Sequence, residues 1–173
     1  MGRVLDTLKE LNLDSRTLVL LTSDNGPWLS QGKNGGVAGP LRGGKGSTWE
    51  GGVRVPTIVW WPETIAAGSV CAAPISEIDV LPTLVKLAGG AVPDDLSIDG
   101  KDIWLLLSGQ SKESPHEALF YFNSVRLEAV RSGRWKLRLE GNELYNLDRE
   151  IGERTNVAAE HPDVVARLQG FVS

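Results

Sequence analysis

The stretch from Thr17 to Arg54 constrains this chain more than any other. A short apolar run, Leu18-Val19-Leu20-Leu21, breaks at once into Ser23-Asp24-Asn25-Gly26-Pro27. The loop that follows, up to Arg54, carries half of the chain's 20 glycines. Structureless loops beyond about 12–15 residues are uncommon in compact domains, and most are functional or disordered. This one holds Trp28, Trp49, a carboxylate, an amide and several cations, which favours function. Asp24 and Asn25 fall at the carboxyl end of a strand, where open α/β sheets place their ligands.

Composition narrows the classes. With 41% hydrophobic and 23% charged residues, the chain has an ordinary soluble, folded composition. A formal charge of -4 argues against nucleic acid, which needs a basic stripe. No apolar run approaches the roughly 18 residues of a membrane span. The amphipathic, charged Val4-Leu5-Asp6-Thr7-Leu8-Lys9-Glu10-Leu11 after the start does not read as a secretion signal. The single Cys71 has no internal disulfide partner and reads as a small space-filling residue.

Along the chain, Val4, Leu5, Leu8 and Leu11 form one helical stripe, and the helix should stop between Asn12 and Ser15. Leu18–Leu21 and Pro56–Pro62, the latter closed by its prolines, read as strands that are apolar on both faces, the pattern of central parallel strands covered by helices. Ile78 to Gly90 predicts a short helix. Pro82 lies in its first turn, Asp79 or Ser76 caps it, and Leu81, Leu84, Val85 and Ala88 face a core. Val92 to Pro115, including Pro93-Asp94-Asp95, is loop-like around a short Ile103–Leu107 segment. Beyond it the period changes to two. Leu119–Phe122, Leu127–Arg131, Trp135–Leu139 and Leu144–Leu147 predict an antiparallel meander with one wet face, on which Lys136 and Arg138 alternate with apolar neighbours. Pro162 opens a last helix with Val164, Val165, Leu168 and Phe171 on its apolar side. The expected fold class is α/β, divided into residues 1–110 and 111–173. The two N-terminal strands alone are too few for a parallel sheet, so partner strands must come from another chain or from further parts of a larger protein.

The chemistry-bearing groups read as follows. Asp24 and Asn25 offer adjacent hard oxygens suited to calcium or magnesium, although Asp-Asn-Gly-Pro is also a good turn sequence. Gly39 to Lys45 fits the first part of a phosphate loop, but Gly46 stands where the Ser or Thr is required. What survives is Lys45 held among glycines, able to approach a tetrahedral oxyanion as a point charge, or else simply solvated. Arg42 and Arg54 add positive potential or make surface pairs. Trp28 and Trp49 line a pocket or anchor the loop. His116 and His161 read as ordinary surface residues.

Ser23-Asp24-Asn25-Gly26-Pro27, then Leu41 to Pro56 (LRGGKGSTWEGGVRVP), Ile78 to Leu84 (IDVLPTL) and the tail pattern Arg134-Trp135-Lys136-Leu137 with Glu143-Leu144-Tyr145-Asn146-Leu147 together resemble the C-terminal half of the sulfatase catalytic region. The resemblance covers essentially the whole chain in order and spacing. It implies the back part of an alkaline-phosphatase-like sandwich, with a mostly parallel sheet and helices, followed by the antiparallel meander and terminal helix. It also implies hydrolysis of sulfate esters or sulfamates with one calcium and a formylglycine nucleophile. By the same resemblance Asp24 and Asn25 match the second pair of metal ligands and Lys45 matches the catalytic, sulfate-contacting lysine; Trp28, read as lining a pocket in the loop, is the further substrate-binding candidate.

The departures from the family pattern are equally specific. The first Asp-Asp metal pair is absent, and so is the Cys-x-Pro/Ala-x-Arg motif from which formylglycine is made; Cys71-Ala72-Ala73-Pro74-Ile75 lacks the Arg and lies on the wrong side of Lys45. The chain is therefore expected to be a piece of a sulfuric ester hydrolase, inactive alone, that partners its missing N-terminal portion or self-associates. The alternative is a non-catalytic binding or assembly module on the same scaffold; a phosphodiesterase of the same superfamily is a weaker one. The resemblance implies a periplasmic, extracellular or lysosomal location.

Overall fold

The computed structural model describes residues 1–93 and 95–172, so Asp94 of the expected Pro-Asp-Asp turn lies outside the described residues. In chain order the elements are α1 (Gly2–Glu10), β1 (Val19–Leu21), α2 (Glu50–Val53), β2 (Ile58–Trp60), α3 (Val80–Leu87), α4 (Trp104–Leu107), β3 (Leu119–Asn123), β4 (Arg126–Ser132), β5 (Trp135–Arg138), β6 (Glu143–Asn146) and α5 (Pro162–Gln169). They belong to two compact units, one built from Met1–Thr22 with Pro56–Pro115 and the other from Ser23–Val55 with His116–Ser173.

In the first unit, α1 ends on a left-handed Asn12 (φ 54°). The Leu13 N–H reaches back to the Leu8 carbonyl at 2.8 Å and the Asn12 N–H to Lys9 at 3.0 Å, a Schellman closure with Asn in place of Gly. The expected stripe forms, yet no residue of α1 is buried, and Val4 and Leu11 face outward. β1 and β2 pair with each other antiparallel, Leu20 opposite Val59. This corrects the expectation that both are central strands of a parallel sheet. Apolar residues on both faces report what covers a strand and carry no information on its direction. The chain also returns from Leu21 to Ile58 with only short helical turns between them, α2 the last, and not the long crossover helix that usually joins parallel neighbours.

α3 begins as expected. The Asp79 carboxylate accepts the Ser76 N–H at 2.8 Å and also the Lys101 N–H at 2.8 Å. Its inner face differs from the expectation: Asp79, Pro82 and Thr83 are buried, whereas Leu81 and Leu84 are exposed. Thr83 explains the rotation. Its hydroxyl donates to the Asp79 carbonyl at 2.6 Å and accepts the Ile103 N–H at 3.0 Å, which turns this side of the helix toward α4 and leaves the leucines outside. Cys71 is exposed and fills no space, contrary to its sequence reading.

The second unit contains the meander in the expected order, β3-β4-β5-β6, all antiparallel. Val130, Leu137 and Leu144 are opposite one another across three strands and fully buried. α5 covers that row with Leu168, and Val164, Val165 and Phe171 pack around it. Pro162 sits in the first turn, where its missing N–H costs nothing. The other face carries Tyr121, Arg131, Lys136, Arg138 and Tyr145 by the same register. It is not wet. Lys136 is fully buried and Tyr145 nearly so, because this face receives part of the glycine-rich segment.

Candidate functional site

The glycine-rich segment folds into a tight double layer in the second unit. The Gly26 N–H donates to the Gly52 carbonyl at 2.9 Å, and the Lys45 N–H donates to the Pro27 carbonyl at 2.9 Å. These two bonds hold the Asp24–Asn25 end and the Lys45 turn against each other. Glycine is required at both contacts. A Cβ on Gly26 would collide with the Gly51 carbonyl, and one on Gly44 would come within 2.6 Å of the Pro27 carbonyl. The layer is thus closer than any side chain permits.

Asp24 is exposed and Asn25 half-buried. Among the described residues neither side chain makes a hydrogen bond or ion pair; the Ser23 hydroxyl turns to the Asn25 backbone carbonyl at 2.9 Å instead. Their oxygens are unspent, hard and adjacent, which suits a divalent cation in type. They do not suffice in number: no group of three or more His, Cys, Asp or Glu is gathered among the described residues, and calcium takes about six to eight oxygens. Lys45 is exposed, and its ammonium stands 5.3 Å from the centre of the Trp28 ring, the Trp28 side being 53% exposed. Trp28 therefore lies beside Lys45. Trp49 instead anchors the loop. Its indole is held between the guanidinium groups of Arg42 at 3.5 Å and Arg138 at 3.9 Å and meets Tyr145 edge-on at 5.8 Å.

Sequence reasoning missed the ion cluster beneath this layer. Glu50, Lys136 and Glu153 are each fully buried. Lys136 Nζ donates to the Thr48 carbonyl at 2.7 Å and to Glu50 Oε1 at 3.0 Å, and it lies 2.9 Å from Glu153 Oε1. That last oxygen has no hydrogen bond despite the short distance; it faces the ammonium as an ion pair, off the hydrogen-bonding direction. Arg131 reaches Glu50 Oε2 at 3.1 Å, and the Glu50 N–H donates to Glu153 Oε2 at 2.6 Å. Arg54, half-exposed at the edge, stands 3.8 Å from Glu50 Oε2 as well, so each buried carboxylate has a cation, which is how a protein interior tolerates them. Tyr121 shares the enclosure, 4.6 Å from Lys136; burial, with Glu50 nearby, pushes its phenol well above the usual range. Glu153 adopts a left-handed φ of 51°, a conformation that costs on the order of 1–3 kcal/mol outside glycine. It is held there from both ends, by its carboxylate and by its carbonyl, which accepts Arg42 Nη1 at 2.8 Å. The alternation around Lys136 had suggested a solvated face because the covering segment lies some ninety positions away in the chain.

Known proteins carry the same pattern. The sulfatase family model matches residues 1–91, more than half of the chain. The chain belongs to the sulfatase family. It is 46% identical to mouse (Mus musculus) steryl-sulfatase over 145 residues, covering 79% of this chain and 23% of that protein. It is 43% identical to human arylsulfatase A over 141 residues, covering 79% of this chain and 27% of that protein. Among solved structures, the PsFucS1 sulfatase of Pseudoalteromonas sp. superposes with a TM-score of 0.88 at 27% identity, over 99% of this chain and 39% of that one. The chain thus spans about a quarter of the length of the curated sulfatases it matches. The mixed α/β architecture with a four-stranded antiparallel sheet and terminal helix is that of the sulfatase neighbours.

Proposed function

We propose that this sulfatase-family chain supplies one wall of a sulfuric ester hydrolase site. Asp24 and Asn25 are two of the calcium ligands, Lys45 is the catalytic and sulfate-binding lysine, and Trp28 bounds the substrate beside it. The nucleophile and the remaining ligands come from parts of the sulfatase fold outside these residues. The observation that carries this reading is the pair of backbone bonds, Gly26 to Gly52 and Lys45 to Pro27, that set two unspent oxygens and an exposed ammonium on one rigid layer. When bound, calcium polarises the sulfuryl oxygens as a Lewis acid. The chain's own part is electrostatic. The Lys45 ammonium, which has no carboxylate partner among the described residues, neutralises negative charge gathering on the sulfuryl group as the ester oxygen departs, and it does so from a preorganised turn. The exposed Trp28 indole offers an apolar plane to the body of the ester.

The deciding experiment is hydrolysis of a generic aryl sulfate in calcium, by this chain alone and by this chain joined to the complementary N-terminal portion of the sulfatase fold. Activity in the joined protein only, lost in Lys45→Ala and in Asp24→Ala, is the expected result. Turnover by the chain alone contradicts the proposal that the nucleophile lies elsewhere. No turnover by a joined protein that carries formylglycine moves the reading to a non-catalytic module.

A further inference from the structure

The candidate lysine is held by more than its own loop. Arg42, three residues before Lys45, donates to the Glu153 carbonyl at 2.8 Å. Thr48, three residues after it, donates to Glu128 at 2.6 Å, accepts Arg138 Nη1 at 2.9 Å and gives its carbonyl to Lys136 at 2.7 Å. Glu50 then ties to Glu153, Lys136 and Arg131. The turn between these clamps is closed by the Ser47 hydroxyl, which donates to the Gly44 carbonyl at 2.8 Å. Every tether on the far side comes from β4, β5 or the segment after β6. These lie eighty or more positions away in the chain.

The geometry points to Lys136 and Glu153 as positioning residues for Lys45. The buried pair holds the Thr48–Glu50 backbone in place, and that backbone sets where the Lys45 ammonium stands relative to Asp24 and Asn25. A merely stabilising ion pair would have its effect spread over the whole unit. This one directs two of its hydrogen bonds at the main chain of a single segment, one from Lys136 to the Thr48 carbonyl and one accepted by Glu153 from the Glu50 N–H. Removing Lys136 and the Glu153 charge together leaves Glu50 paired with Arg131 at 3.1 Å and with Arg54 at 3.8 Å, so no buried carboxylate is stranded and the fold is expected to persist. The inference rests on the assignment of Lys45 to the sulfate site, and its test separates the two.

The experiment is residue-resolved amide hydrogen exchange on the full 173-residue chain, comparing wild type with Lys136→Met/Glu153→Gln and with Glu153→Gln and Glu153→Ala singly. In the double variant the Lys45 and Ser47 amides are expected to exchange at least about tenfold faster, while Val130 and Leu137 on the opposite face stay within about twofold. Glu153→Gln alone keeps an acceptor for the Glu50 N–H and should preserve loop protection, whereas Glu153→Ala should lose it. Equal acceleration on both faces, no acceleration in the loop, or equal behaviour of the Gln and Ala variants overturns the positioning role. Titration of the same variants, each joined to the complementary N-terminal portion of the sulfatase fold, with inorganic sulfate in calcium adds the functional readout, with affinity falling in the double variant as it falls in Lys45→Ala. If Lys45→Ala leaves sulfate binding unchanged, the site assignment fails while the exchange result stands. If Lys45→Ala weakens binding and the double variant does not, the positioning role fails.

Discussion

At the scale of single residues, the decisive group is Lys136, which lies directly opposite Arg131 in the β4–β5 register. Like charges facing each other across strands destabilise a sheet, and here Glu50 resolves the conflict by giving one carboxylate oxygen to each cation. Lys136→Met takes from the buried Glu153 the cation it faces and should lower the unfolding free energy by about 3–5 kcal/mol, read from urea denaturation. Lys45 is exposed and has no ion pair among the described residues. Lys45→Ala should therefore change stability by no more than about 0.5 kcal/mol while abolishing aryl sulfate turnover in the joined protein. A loss of stability as large as that of Lys136→Met would mark Lys45 as structural. Asp24, Asn25 and Lys45 stood out in the sequence because glycines isolate them. Lys136 did not, since an alternating strand reads the same whether its second face meets water or a distant loop.

At the scale of elements, the meander and α5 were legible from period alone, because one face of the sheet and one stripe of the helix bury against each other within a continuous stretch of chain. Leu168 is wholly enclosed by that packing. Leu168→Ala should cost about 2–5 kcal/mol, measured as a shift of the urea midpoint with unchanged slope. The glycine layer answers to a different constraint. Gly26→Ala places a methyl on the Gly51 carbonyl, so the two halves of the candidate site must part. The expected outcome is loss of sulfate turnover in the joined protein, with the α5–meander core, reported by hydrogen exchange at Leu137 and Leu144, still protected. For α3, the periodicity correctly announced a helix and misjudged its inner face, because the Thr83 hydroxyl and the Asp79 carboxylate claim the buried side for hydrogen bonds.

At the scale of the whole molecule, charge and exposure set behaviour in solution. Several carboxyls titrate low in the folded chain. The Thr48 hydroxyl, working against burial and aided by Asn123 and Arg138, lowers Glu128; the Arg154 N–H, also against burial and aided by Gly152, lowers Glu150. Burial raises Asp102, but the hydrogen bonds from Lys86 and the Trp104 N–H outweigh it and leave that group low as well. A carboxyl lowered by folding stabilises the protein above its unfolded value, near pH 4.3 for glutamate, and that stabilisation disappears as the pH falls through the depressed folded value. Thermal melting should accordingly show an acid limb beginning near the unfolded carboxylate range and extending below it; a melting temperature flat down to about pH 3 would contradict these assignments. Val4, Leu11, Ile58, Leu81 and Leu84 are all exposed large apolar residues of the first unit. In isolation the chain should self-associate, with apparent mass rising with concentration in light scattering, and joining it to the N-terminal portion should suppress this.

Local period, turn chemistry and motif order in the sequence were enough for α1, α3 and α5, the four strands of the meander, the glycine-rich segment and the family; the α2 and α4 turns were not legible there. Only the tertiary structure decided that β1 and β2 run antiparallel, that Trp49 anchors while Trp28 stays exposed, and that an ion cluster of Glu50, Arg131, Lys136 and Glu153 lies under the lysine turn. Each of those depends on which distant segment covers a face. A one-dimensional pattern records whether residues tolerate burial, and does not say what they are buried against.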